Sequence, residues 1–515
     1  MKNRLIKKKL SINDYKEILI TILISFITFL CTCLYLTSPL SKTIPWNDSS
    51  GFLYDGKALL SGKTMYVDIF DHKGPLIFVI NAFGLLINGL KGVWLLDFIS
   101  TFTFLLFSYK TIKLFSNRLV GVCSILLLAM FMPYYLDIGN FTETFSLGFI
   151  GISLYFFSKY FYNGNQKISV LSSIISGICF MGCILLRPNV AVLWVVFCPV
   201  IFFDLIFSKK IKEAFIFLLY FLLGCLIMFL PFAVYFTIYK AWGEFFYQYI
   251  LLNFVYIDSG GGFFSSRMVE CLKFFIKSPA FIISLLPITL LFLPKLYKKI
   301  YGNKYVYFIS IYVLLVLTLV STSLSGFHFP HYGIILLPCF IICFGFFLKS
   351  IWYIAIENEN NAIVKTMILS MMFVIGFIIA KYDNNSYDYM KSKAWIIQNE
   401  NTRPDLTEFG NLINKNTNPK DGIMIFGSYP ELYLVSDRLS SSKYSYQNYW
   451  TFSSQEKIVN QVIKDVADEK TKALVIVDVN AYETYTDIAN KVQMVLDEEY
   501  ELALNHYGMY LYFRK

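Results

Sequence analysis

Ionisable and aromatic residues gather in one polar stretch between two apolar segments: Trp46, Asp48, Tyr54, Tyr66, Asp68 and the run Asp71-His72-Lys73-Gly74-Pro75. Carboxylates, an imidazole and an ammonium in a glycine-punctuated loop are groups that take up protons and meet anions. Three further polar groups interrupt the apolar chain downstream, at Asp137 to Glu143, at Arg187 and at His328-Phe-Pro-His331-Tyr332. Such residues are costly to hold at membrane depth and are usually functional.

The elements that must position them follow from composition. Of 515 residues 56% are hydrophobic and 16% charged, against roughly 25% charged in an average soluble domain. Mean hydropathy is +0.56. This excludes a soluble globular protein, and long apolar runs in place of alternation point to helices rather than a barrel. Runs at 17–37, 92–110, 119–136, 143–160, 168–186, 189–208, 213–236, 279–295, 305–324, 331–349 and 363–381 predict a polytopic α-helical membrane protein of about eleven transmembrane helices.

Charge then sets the threading. The Lys-rich start places the N-terminus in the cytoplasm. The apolar segment 75–90 is short for a crossing, which needs about 20 residues. If it does not cross, the clusters Lys110/Lys113/Arg118, Lys159/Lys167, Lys209/Lys210/Lys212 and Lys295/Lys298/Lys299/Lys304 all fall inside. The segment is therefore expected to be a re-entrant or juxtamembrane helix on the outer face, and the polar groups then converge on that face. Residues 1–381 carry 31 Lys+Arg and 16 Asp+Glu, and residues 382–515 carry 14 and 19. The basic excess belongs to inner loops and does not call for nucleic acid. The 10 Cys lack paired CxxC spacing and suggest neither a zinc site nor a disulfide framework.

The tail, residues 382–515, has a different texture. Helical stretches at 405–415, 455–468 and 484–496 alternate with strand-like stretches at 422–427, 473–478, 500–505 and 509–513, which predicts an extracytoplasmic α/β domain. The remainder, residues 1–381, is the transmembrane domain, whose first outer loop, 38–91, carries the site.

That loop resembles the loop of GT-C membrane glycosyltransferases, in particular the family holding protein O-mannosyltransferases, bacterial aminoarabinose transferases and family 39 members. In those proteins an acid follows the first span, and a Tyr-x-Asp stretch leads into an His-Lys-Pro-Pro-like turn before a juxtamembrane helix. Here these are Asp48, Tyr66-Val-Asp68 and Asp71-His72-Lys73-Gly74-Pro75. Gly74 replaces the first proline, and Ser49 stands where relatives often carry a second acid.

The resemblance implies an inverting glycosyltransferase that takes a sugar from a polyprenyl-phosphate donor. Asp48 would be the catalytic base. Lys73, with His72 and Arg187, would bind the donor phosphate. Tyr54, Tyr66, Asp68, Asp71, Glu143, His328, His331 and Tyr332 are further substrate-binding candidates. No general acid is needed, because the leaving phosphate is a weak base with a second pKa of about 6. Asp68 and Asp71 could hold a divalent ion, but close relatives are metal-independent and no cofactor is expected. The acceptor would be a cell-surface polysaccharide, teichoic acid, glycolipid or protein, and the Lys/Asn/Ile-rich composition suggests a bacterial plasma membrane.

Plainer readings stand beside these. Asp48 could be a solvated loop acid, Lys73 could snorkel to headgroups, and Arg187 could anchor a helix end. Residues 239–277, with Tyr247, Tyr249, Tyr256 and Arg267, could form a substrate lid or an interfacial anchor. A transporter or flippase of lipid-linked sugars is the alternative function, although it would distribute polar residues through the bilayer midplane. A scaffold that only displays the tail would leave the loop motif without a purpose.

Overall fold

The computed structural model describes residues 11–162, 167–259, 262, 265–353, 376, 384–399, 403–446, 456–477 and 486–515. The N-terminal part is helical: α1 (Ile12–Thr32), α2 (Asn47–Leu60), α3 (Pro75–Phe115), α4 (Arg118–Ala129), α5 (Met132–Leu136), α6 (Thr142–Tyr162), α7 (Val170–Ile184), α8 (Val192–Phe207) and α9 (Ile211–Ile238). There follow α10 (Trp242–Phe245), α11 (Leu252–Ser259), α12 (Ser266–Ile276), α13 (Pro279–Leu285), α14 (Pro294–Tyr301), α15 (Tyr305–Ser323) and α16 (Leu337–Trp352).

Among the described residues, six helical segments are long and apolar enough to cross a membrane: α1, α3, 188–207, α9, α15 and 330–352. The pair formed by α12 and the 279–292 segment, bent by 76°, brings the number to seven if it is one span. This is a multi-pass membrane protein. The expected run 119–136 is interrupted, because α4 stops at Ala129 and the chain restarts at Met132 with a proline in its first turn. The run 363–381 lies outside the described residues except for Gly376.

The short apolar segment after Pro75 is a helical arm set off from the following span. Helical geometry fails at Asn88 and at Gly89, whose φ is +56°. A Cβ on Gly92 would overlap the carbonyl of Gly84, so the two arms fold back tightly across this break. The opposite end of the bundle gathers charge: Glu17 in α1 meets Lys113 at 2.7 Å and Arg118 at 2.6 Å.

In the tail, α17 (Asn384–Gln398), α18 (Pro404–Asn416), α19 (Glu431–Val435), α20 (Glu456–Ala467) and α21 (Thr486–Glu499) accompany five strands. These are β1 (Gly422–Phe426), β2 (Leu439–Ser440), β3 (Thr471–Val477), β4 (Tyr500–His506) and β5 (Met509–Arg514), in the order β2-β1-β3-β5-β4. The strands β2, β1 and β3 run parallel, while β5 pairs antiparallel with both β3 and β4. Burial on both faces explains the unbroken apolar runs of β1 and β3. Ile423, Ile425, Ala473 and Val475 join the core shared with Leu406, Phe409 and Leu432. Met424, Phe426, Leu474 and Ile476 pack instead with Ile458, Val462 and Val492. The short α19 and β2 have no counterpart in the sequence-based expectation; Asp478 and residues 484–485 lie outside the described residues.

The tail grips the first loop. Ser50 donates to Glu431 at 3.1 Å, the Ser440 amide donates to the Tyr54 hydroxyl at 3.0 Å, and the rings of Tyr54 and Tyr433 lie 4.7 Å apart. Lys57 pairs with Asp437 at 2.7 Å, and the Phe70 amide donates to the Lys443 carbonyl at 3.1 Å.

Candidate active site

Asp48 sits in the first turn of α2, where a carboxylate complements the positive end of the helix. The turn is held from below: the Asn140 amide side chain donates to the Ser49 carbonyl at 3.0 Å, and the Asn140 backbone N–H donates to Asp97 at 2.7 Å. From above, the Tyr446 hydroxyl donates to Asp48 Oδ1 at 3.1 Å.

The Asp71 to Pro75 turn is fixed by its backbone. Tyr66 donates from its hydroxyl to the Lys73 carbonyl at 2.7 Å, and the Lys73 amide donates to Asp71 Oδ1 at 2.9 Å. Asn253 donates to the His72 carbonyl at 2.8 Å. Gln248 accepts from the Asp71 amide at 3.3 Å and donates to the Tyr66 carbonyl at 2.7 Å. The Gly74 and Leu76 amides donate to the carbonyls of Leu186 and Leu185 at 3.1 and 3.0 Å. A Cβ at position 74 would overlap the Leu185 carbonyl. This accounts for glycine at this position, and it seats the turn against the strip that leads directly into Arg187.

Side chains of this turn face inward. Lys73 is only 7% exposed, and its Nζ lies 3.1 Å from His72 Nε2. Burial, with Lys73 and Arg187 nearby, holds the His72 imidazole well below its usual range. Burial thus disfavours a second positive charge beside Lys73. Burial and Arg187 also lower Lys73, against the pull of Asp48, Glu143 and Asp71.

Arg187 forms an ion pair with Glu143, which also accepts from Thr142 at 2.7 Å. The guanidinium lies 4.6 Å from the centre of the Tyr332 ring, and the hydroxyls of Tyr332 and Tyr256 are 2.8 Å apart. His331 stacks on Phe141 at 4.2 Å and lies 3.6 Å from Asp137, which pairs with Lys393 at 2.9 Å. Burial opposes the ionisation of Asp137, yet Lys393 and His331 hold its carboxyl below the usual range.

Asp48, His72, Lys73, Tyr256, His331 and Tyr332 line one cavity of about 600 Å³. A neighbouring cavity of about 320 Å³ shares Tyr256 and is lined by Arg187, Asn253, Phe254 and Leu324. Exposed apolar side chains, Ile250 and Phe254, stand at its rim.

Beneath the turn, the buried Asp55 and the largely buried Asp71 line one small pocket. Burial, followed by their mutual repulsion, pushes Asp55 well above its usual range, and burial also raises Asp71.

Three candidates stand away from the cavity. Tyr54 faces the tail sheet. Asp68 is exposed and accepts from the Thr64 amide at 2.8 Å, closing a local turn. His328 is exposed, 5.7 Å from the Phe274 ring, and lines a separate cavity with Tyr134 and Lys273. Tyr66 does not line the cavity but buttresses the Lys73 turn. Residues that sequence reasoning did not assign to the site include Tyr446, Asp55, Gln248 and Asn253; Tyr256 was expected only within a lid or interfacial anchor.

No family model matches the sequence, and no curated protein matches it. The similarity is one of fold. The aminoarabinose transferase ArnT from Cupriavidus metallidurans, bound to undecaprenyl phosphate, aligns with a TM-score of 0.59 at 13% identity over 97% of each chain. Its apo state gives 0.58 at 12% identity, covering 97% of this chain and 98% of that one. The archaeal oligosaccharyltransferase AglB from Archaeoglobus fulgidus, in complex with an inhibitory peptide and a dolichol-phosphate, gives 0.53 at 12% identity, covering 98% of this chain and 74% of that one. The chain shares the fold of these proteins.

Proposed function

We propose that the protein is an inverting membrane glycosyltransferase that moves a sugar from a polyprenyl-phosphate donor to an extracytoplasmic acceptor. The observation that carries this reading is that an acid and a buried lysine share one cavity, which adjoins a second cavity bounded by Arg187 and apolar side chains. ArnT and AglB, whose fold this chain shares, are seen with undecaprenyl phosphate and dolichol-phosphate.

Asp48 accepts the proton of the acceptor hydroxyl as that oxygen attacks the anomeric carbon. The bond from this carbon to the phosphate oxygen breaks on the opposite side, which inverts the centre. The phosphate gains a negative charge, and Lys73 and Arg187 meet it in a site where fixed charges act more strongly than in water. His72 orients the Lys73 ammonium, Glu143 holds Arg187, and Tyr332 and His331 wall the sugar.

The protein spans a bacterial plasma membrane about eleven times, with residues 1–381 as the transmembrane domain and 382–515 as an extracytoplasmic domain. The 21 residues of α1 rise about 30 Å, the thickness of a bilayer core, and separate the basic cluster around Arg118 from the loop with Asp48. The acceptor is a surface glycan, teichoic acid, glycolipid or protein. The test is Asp48→Asn in native membrane vesicles: transfer falls by about 10² or more, while parental transfer by a normally inserted variant removes the base. A reporter fused after Lys381 reads extracytoplasmic; a cytoplasmic signal overturns the threading.

A further inference from the structure

The cavity is not built by the N-terminal bundle alone. Tyr446 comes from the tail, 398 residues beyond Asp48, and donates to one carboxylate oxygen at 3.1 Å. Its ring lies over α2, where a Cβ on Gly51 would stand 3.6 Å from it. The segment that delivers it is pinned on both sides of the first loop. Lys443 accepts from the Phe70 amide at 3.1 Å through its carbonyl and pairs with Glu244 at 2.6 Å through its ammonium. The Tyr444 ring packs 4.9 Å from Phe70, and Ser440 meets Tyr54.

We infer that Tyr446 is a positioning residue for the base: the tail supplies a hydroxyl that fixes the Asp48 carboxylate and leaves its second oxygen for the acceptor proton. The inference rests on the assignment of Asp48 as base. A carboxylate held by one donor loses rotational freedom without losing its charge, so the reacting oxygen is presented before the acceptor arrives. Burial and the adjacent Asp48 push the Tyr446 phenol well above its usual range, so it remains a donor and does not compete for the proton. The tail is thus part of the catalytic centre in addition to any part in acceptor binding.

The test uses the full-length protein in native membrane vesicles, which hold the acceptor, supplied with a panel of undecaprenyl-phosphate hexoses and pentoses. Kinetics are followed with the donor that the parental protein consumes. Tyr446→Phe keeps the ring and removes the hydroxyl. Turnover falls about tenfold with the donor KM and the thermal midpoint unchanged, and the change adds nothing in an Asp48→Asn background, since both variants remove the same unit. Tyr433→Phe, which removes a tail hydroxyl that touches Ser440 and the Ile425 amide but not Asp48, lowers the thermal midpoint and leaves turnover unchanged. Parental turnover in Tyr446→Phe, a full additional loss on top of Asp48→Asn, or an equal turnover loss in Tyr433→Phe overturns the positioning role. Parental turnover in Asp48→Asn alone refutes the base assignment itself.

Discussion

Lys73 and Asp48 face the same cavity but are held in different ways. The Lys73 turn is locked through its backbone by Tyr66, Asn253, Gln248 and the 185–186 strip, all within the helical bundle. Asp48 is held through its side chain by Tyr446 of the tail. The half of the site proposed to bind the anion is therefore preorganised by the bundle, and the half proposed to accept the proton is completed only when the tail is seated. In the proposed reaction this separates donor binding from turnover, and variants on the two halves should divide along the same line.

The largest effect falls on the pair itself. Asp48→Asn lowers turnover with little change in donor KM, whereas Lys73→Ala raises donor KM at least tenfold. Steady-state kinetics in vesicles separate the two, and an unchanged donor dependence in Lys73→Ala counts against the anion role. Next comes Gly74→Ala: the added methyl meets the Leu185 carbonyl, and relieving that overlap costs about 1–3 kcal/mol. Thermal unfolding in detergent checks the stability, and donor KM reports displacement of the Lys73 turn.

A smaller effect concerns the carboxyl pair below the turn. Because Asp55 and Asp71 are both raised in the folded protein, the stability they contribute is fully present below the unfolded carboxylate pKa of about 3.9. It is lost as pH rises through the raised folded values. Asp55→Asn, which removes one of the two raised carboxyls, flattens the decline of the thermal midpoint with rising pH; a parental slope would show that Asp55 does not drive that decline. Asn253→Ala removes one hydrogen bond to the turn and costs about 1 kcal/mol, read as a modest rise in donor KM. The smallest effect is expected at His328→Ala and Asp68→Ala, which stay near parental rates, and a tenfold loss in either would place that residue in the site after all.

Much of this arrangement was legible in order along the chain. The positive flanks of the apolar runs, together with the shortness of 75–90, marked Asp48, Lys73, Arg187, Glu143, His331 and Tyr332 as one group, and the structure brings these six together. Tyr54 and Asp68 entered the group through the loop motif, and His328 through the outer-face cluster that also holds His331, yet each points elsewhere, because neighbours along a loop diverge once the loop folds into a helix and tight turns. Tyr446 carried no local signal. It is one of 37 tyrosines, and its meaning comes from a contact across 398 residues. Asp55 likewise carried no local signal, and only the fold buries it beside Asp71.

Hydropathy and charge act on a segment through its solvent, so composition alone determined a helical membrane bundle with a tail of different character, and the local motif singled out the loop that holds Asp48 and Lys73. Which side chains of that loop meet, which tail residue touches the acid and why position 74 must be glycine depend on close packing between segments far apart in the chain. Short-range contacts have no counterpart in a linear pattern, and only the tertiary structure decided them.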